Sequence, residues 1–197
     1  MQISDRGEGF ERSEMELQKI DTLMSQHMNL IPRLGKNWNK HSLVTLRRQS
    51  MSKILYLDWI YKKLLGKPGV ICEFGVQWGG VLTLLNNLSA IYEPYNHQRE
   101  IHGFDTFEGF VEVSKEDGAG HNKGDYATDY GYEKELSSIL DNIESSNPLS
   151  HIKKTFLIKG NVSKTIHEWL DKNPALAIGL AIFDMDLYSP THDVLQA

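Results

Sequence analysis

Two aspartates one residue apart, Asp184 and Asp186, follow an almost uninterrupted apolar run from Leu176 to Phe183. Carboxylates placed just past a buried strand can hold a hard divalent cation such as Mg2+, which takes one or two protein carboxylates and keeps several waters. Alternatively, one of them can take the proton of a substrate hydroxyl, its pKa raised by the other. The plainer alternative has Asp186 capping the next helix and Asp184 hydrogen-bonding within the loop. Two further acids stand at comparable places. Glu73 is set into the apolar run Val70, Ile71, Cys72, Phe74, and Asp105 closes the run Ile101 to Phe104. An acid in the second position can accept from the vicinal hydroxyls of a ribose; its other reading is a turn cap ahead of Thr106 and Gly109. Between these acids lies the stretch Gly69 to Gly80, G-V-I-C-E-F-G-V-Q-W-G-G. Its glycines let the backbone turn sharply and let a ligand come close. The spacing is not G-x-G-x-x-G, which argues against a dinucleotide fingerprint and an NAD(P)-dependent oxidoreductase.

Such residues need elements that bring them to one edge, and the periodicity supplies them. Strands are expected at Val70 to Phe74, Ile101 to Phe104, Thr155 to Ile158 and Leu176 to Phe183, with helical patterns between them. That alternation predicts a doubly wound α/β domain with a mainly parallel sheet, whose ligand lies at the carboxyl ends of the strands. Glu73, Asp105, Gly160, Asn161, Asp184 and Asp186 all fall on that edge. The run Leu176 to Phe183 reads as a strand covered on both faces. Ser189-Pro190 is expected to supply the N-cap and first turn of a final helix. Glu112 to Gly131 is long, polar and glycine-rich, and reads as a lid, with Phe104, Phe107, Phe110, Tyr126 and Tyr130 flanking or dotting it.

Ahead of the first strand, residues 1 to about 13 read as an arm. One helix is expected from Ser13 to Leu30, ended by Ile31-Pro32 and Gly35, and a second from about Ser42, with Leu43, Leu46, Met51, Ile54, Leu55, Leu57, Ile60, Leu64 and Leu65 inward. Together they form an N-terminal helical cap over residues 1–66, followed by an α/β core over 67–197. Their apolar faces suit packing on the core or a homo-oligomer interface.

Composition narrows the classes. A net charge of -5 argues against nucleic-acid binding, no apolar run is long enough for a membrane helix, and Met1 to Glu16 is too polar for a secretory signal. A single cysteine, Cys72, excludes an internal disulfide, and a cytoplasmic location is expected. The histidines lack zinc spacing; His102 and His192 lie near the proposed site, where an incidental role is the plainer reading.

Four blocks in order, E-F-G-V-Q-W-G-G, G-F-D-T-F-E-G-F, K-G-N-V-S-K-T-I and F-D-M-D-L-Y-S-P-T, resemble the macrocin O-methyltransferase family over residues 40–197. The resemblance implies a Rossmann-like, S-adenosylmethionine-dependent methyltransferase that methylates a hydroxyl of a small molecule, a sugar or glycosylated natural product, with divalent metal assistance. It implies cofactor contacts at Glu73, Gly75, Val76, Gly79, Asp105, Thr106, Gly160, Asn161 and Asp184. By the same resemblance Asp184 and Asp186 would be ligands of Mg2+ and Asp186 the catalytic base, an assignment of the pair that can be reversed. The family's sheet continues with further strands that the 197 residues lack, so the chain is expected to be a fragment, a shortened relative or one completed by a partner. A catalytically silent cofactor-binding or assembly module is the competing class.

Overall fold

The computed structural model describes residues 13–118 and 120–197; the expected arm lies almost wholly outside them. The chain divides into two units, one ending at Lys53 and the other spanning Ile54–Ala197.

In the first unit, helix α1 (Glu14–Leu34) opens on a capping box. The Glu16 amide donates to the Ser13 hydroxyl, and the Ser13 amide donates back to the Glu16 carboxylate at 3.0 Å. The helix runs through Pro32 and stops at Gly35, with φ +52. Pro32 has no amide to donate and crowds the carbonyl four residues back, yet α1 continues two residues beyond it, to Leu34. A one-turn helix, α2 (Trp38–His41), sits between two 3-10 turns. The second long helix, α3 (Arg48–Leu64), starts later than Ser42 because Leu46 is extended, with ψ 123.

Only the second half of α3 contributes to the core of the larger unit. Leu57, Tyr61 and Leu64 are buried, whereas Leu43, Leu46, Met51, Leu55 and Leu65 are exposed, contrary to the apolar face expected for the whole helix. Tyr61 belongs to this core despite its hydroxyl because that hydroxyl donates to Glu93 at 2.8 Å.

The sheet has four parallel strands: β1 (Val70–Phe74), β2 (Ile101–Asp105), β3 (Thr155–Lys159) and β4 (Ile178–Phe183), in the order β3-β2-β1-β4. Every strand after β1 is reached through a helical crossover: α4 (Gly80–Tyr92), α5 (Tyr132–Glu144) and α6 (Val162–Lys172). The last helix, α7 (Tyr188–Gln196), follows β4. Alternate residues of β1 feed two apolar layers. Ile71 packs with Leu57, Leu82, Leu85 and Leu136 from α3, α4 and α5. Val70, Cys72 and Phe74 pack with Ile166 and Trp169 of α6. Burial pushes the Cys72 thiol up to about 12, so it stays an inert thiol.

β4 corrects one expectation. It is an edge strand of this sheet, and none of its residues is fully buried; Ile178 is 40% and Phe183 38% exposed. Its apolar sequence fits a strand covered on both faces, but among the described residues it pairs with β1 alone.

Candidate active site

The strand order reverses between β1 and β4, and ligands of doubly wound sheets bind in the crevice outside such a switch point. The loops at that edge are joined by backbone bonds that extend the sheet. Asp184 N–H donates to the Phe74 carbonyl at 2.8 Å, Gly75 N–H to Phe104 at 2.9 Å, and Gly160 N–H to Asp105 at 2.9 Å. Gly75, Asp105, Gly160, Asp184 and Asp186 therefore come to one edge, as the sequence places them, whereas Glu73 stands inside β1, one residue short of its end.

Their local roles are more structural than the sequence reading implied. Asp105 gathers three backbone donors: Val76 and Gln77 N–H on Oδ2 at 2.7 and 2.8 Å, and Phe107 N–H on Oδ1 at 2.6 Å. A carboxylate offers about four acceptor sites, so room for one further donor remains at Oδ1. Its first job is to hold the glycine turn in place. Thr106 accepts from Glu108 N–H and donates to the Gly109 carbonyl at 2.9 Å, closing the next turn. Asn161 accepts from Ser163 N–H at 3.0 Å and caps α6. Val76 is buried, packed over Gly103. Glu73 is 1% exposed, within the sheet rather than on its rim.

Glycines settle where the chain can pass. At Gly75, φ is +94, and a side chain would run into the Asp184 carbonyl. At Gly109, φ is +73, and a side chain would overlap the carbonyls of Gly124 and Asp125, the returning limb of the 112–131 segment. Gly79 caps α4 in the left-handed region without any side-chain bond, and around Gly80 no atom stands within 4 Å of where a side chain would begin. The amino end of α4 thus has no side-chain cap and is open at Gly80, while Gly79 packs against Leu136; an open, uncapped helix start suits a carboxylate.

Backbone strain concentrates at this edge. Non-glycine residues with positive φ stand past β1 (Gln77, +49), past β2 (Phe107, +60) and past β4 (Asp186, +56). Side chains of this kind disfavour that region, and such residues cluster where the surroundings over-determine them. Both Asp184 and Asp186 are exposed. Lys159, at the end of β3, stands 3.4 Å from Glu133 and 3.9 Å from Glu108. Among the described residues no group of three or more His, Cys, Asp or Glu side chains gathers to hold a metal ion.

The histidines flagged by the sequence separate. His102 lies inside the sheet, its Nδ1 accepting from Trp169 Nε1 at 3.3 Å and its Nε2 paired with Glu100 at 3.0 Å. That assigns it to the core. His192 stacks on Tyr188 in α7.

Sequence reasoning missed Asp117. Its Oδ1 accepts from Tyr188 N–H at 2.6 Å, across 71 residues. The only local signal was a capping box: Ser114 N–H and Oγ donate to Asp117 Oδ2 at 2.7 and 2.8 Å.

No family model matches the sequence, and no curated protein matches it. Solved structures do. The crystal structure of CalS11, a calicheamicin methyltransferase, aligns with a TM-score of 0.90 and 37% identity, over 95% of this chain and 74% of that one. The apo structure of CalS11, a TDP-rhamnose 3'-O-methyltransferase of calicheamicin biosynthesis, aligns with a TM-score of 0.79 and 35% identity over the same shares.

Proposed function

The chain belongs to the macrocin O-methyltransferase-like family of S-adenosylmethionine-dependent methyltransferases, and from that premise we propose that it methylates a hydroxyl of a small molecule, a sugar or glycosylated natural product. The observation that carries the reading is the exposed pair Asp184 and Asp186, whose loop packs on the glycine turn after β1 at the switch point of the sheet. The likeness to CalS11, which acts on TDP-rhamnose, points to a deoxysugar as the substrate class.

In this reading the amino end of α4 would receive the cofactor's carboxylate, and Asp105, whose Oδ2 holds the turn, would offer its remaining Oδ1 site to a ribose hydroxyl. Gly75, Val76 and Gly79 shape the floor, Glu73 supports it from within the sheet, and Thr106, Gly160, Asn161 and Asp184 border it. S-adenosylmethionine, when bound, supplies an electrophilic methyl group. Asp186 takes the hydroxyl proton as oxygen attacks, and the loops around it fix the line of approach. The strained backbone at Asp186 fits a residue held for a task.

The metal part of the reading has Mg2+ at Asp184 and Asp186. Two carboxylates are within what Mg2+ takes from a protein, with water filling its other positions; among the described residues no third His, Cys, Asp or Glu side chain joins them in a group. The remaining parts are a cap over 1–66, a cofactor-binding core over 67–197, a cytoplasmic setting, no nucleic-acid or membrane partner, and self-association through apolar helix faces. Among the described residues no helix is long and apolar enough to cross a membrane.

Calorimetry with S-adenosylhomocysteine, on the wild type and Asp105→Ala, tests the cofactor site; label transfer from S-adenosylmethionine to TDP-rhamnose, with Asp186→Asn as control, tests the reaction. Binding that survives Asp186→Asn while transfer falls by roughly 100-fold or more is expected of a general base. A folded chain that binds no S-adenosylhomocysteine would sink the reading.

A further inference from the structure

The residue at the N-cap of α7 is Leu187, which is buried and makes no side-chain cap. A leucine cannot accept from the first amides of a helix, and those amides need a partner. Ser189, the cap expected from sequence, lies inside the helix instead. The partner is Asp117, from the middle of the 112–131 segment. One carboxylate oxygen accepts from Tyr188 N–H, and the other closes Asp117's own turn through Ser114.

The roots of that segment lie elsewhere. Phe110 N–H donates to the Asp125 carbonyl at 3.0 Å, Gly124 N–H to Phe110 at 2.9 Å, and Thr128 Oγ1 to Phe107 at 3.2 Å. It is therefore anchored beside the end of β2 while Asp117 bonds just past the end of β4. In the order β2-β1-β4, a segment with those two attachments spans the end of β1, where the glycine turn lies. The loop it reaches is already fixed at its start, where Asp184 N–H bonds Phe74 and its carbonyl lies against Gly75. Asp186, in its left-handed conformation, stands between that anchor and Tyr188.

We infer that Asp117 is a positioning residue that couples the 112–131 segment to the two-aspartate loop: by capping α7 from outside, it holds Asp186 in its strained conformation when the segment lies across the site. The role given to Asp186 rests on the methyltransferase reading; the coupling itself does not. Burial contributes little here, and the bonds from Tyr188 and Ser114 hold the Asp117 carboxyl below the usual aspartate range.

Hydrogen exchange on the whole chain, without ligand, tests the coupling in the wild type, Asp117→Ala and Asp117→Asn. In Asp117→Ala, amides of 184–192 and those of 107–131 are expected to exchange faster together, by roughly 5-fold, the usual effect of losing a helix cap. Asp117→Asn keeps an oxygen for Tyr188 N–H and is expected to restore 184–192 while leaving the Ser114 turn open. Unchanged exchange over 184–192 in Asp117→Ala would overturn the inference, since Asp117 would then serve only its own turn. So would equal loss in both variants. Calorimetry with S-adenosylhomocysteine on the wild type is read separately: failure there sinks the methyltransferase reading and leaves the exchange result to decide the coupling.

Discussion

Gly75 and Asp184 meet backbone to backbone: a β-carbon on Gly75 would fall inside the Asp184 carbonyl. The turn after β1 and the loop after β4 are thus one packed unit, and the start of the aspartate pair is placed by a glycine 109 residues before it in the chain. Gly75→Ala meets both a φ of +94 and an immovable carbonyl. Strain and overpacking together predict a loss on the order of 2–4 kcal/mol, read by urea denaturation, with S-adenosylhomocysteine binding lost in parallel. An alanine variant of wild-type stability would mean that these loops are not packed as described.

Asp105 separates cofactor binding from support of the turn. Asp105→Ala orphans the amides of Val76, Gln77 and Phe107, and roughly 1–3 kcal/mol of destabilisation is expected even without ligand. If its only role were to receive a ribose, thermal unfolding of the free protein would not change.

At the opposite edge of the sheet, Arg99 is 2% exposed and pairs with Glu93 at 2.8 Å. It also donates to the carbonyls of Lys67, at 2.7 Å, and Gly69, tying the entry to β1 to the entry to β2. Arg99→Ala leaves the Glu93 carboxylate without its counter-charge, though still bonded by Tyr61 and Asn96, and removes the Arg99 donor from two carbonyls; a loss of roughly 2–4 kcal/mol is expected in denaturant titration. In whatever fraction stays folded, S-adenosylhomocysteine affinity is expected to hold, because the amino edge of the strands carries no part of the site.

His102 sets a pH dependence. Burial lowers its pKa in the folded chain, outweighing the nearby Glu100 carboxylate, and Trp169 donates to the nitrogen a proton would occupy. The unfolded chain takes up this proton near pH 6.5 and the folded one only below that. This contribution is therefore fully present above about pH 6.5 and lost as pH falls below it, with a slope of at most about 1.4 kcal/mol per pH unit. Chemical denaturation between about pH 7.5 and about pH 5, which brackets the unperturbed imidazole, should show the decline, and His102→Gln should flatten it. A wild-type slope equal to that of the variant would assign the decline to other groups.

The sequence by itself determined the alternation of strands and helices, the glycine turn after β1, and the order in which Asp105, Asn161, Asp184 and Asp186 arrive at one edge. These are local facts: side-chain period, a residue without a β-carbon, and an acid at the end of an apolar run each act within a few residues of chain. Tertiary structure decided what those residues do there. Asp105 turned out to hold amides 28 and 29 residues away, and the cap of α7 came from Asp117 rather than Ser189. β4, apolar enough for the middle of a sheet, stands at its edge because pairing depends on which neighbours are present. Leu43, Leu46, Met51 and Leu55, apolar by sequence, are exposed. A hydrogen bond or a close approach between distant residues needs the whole fold to bring its two ends together, and no stretch of sequence carries both.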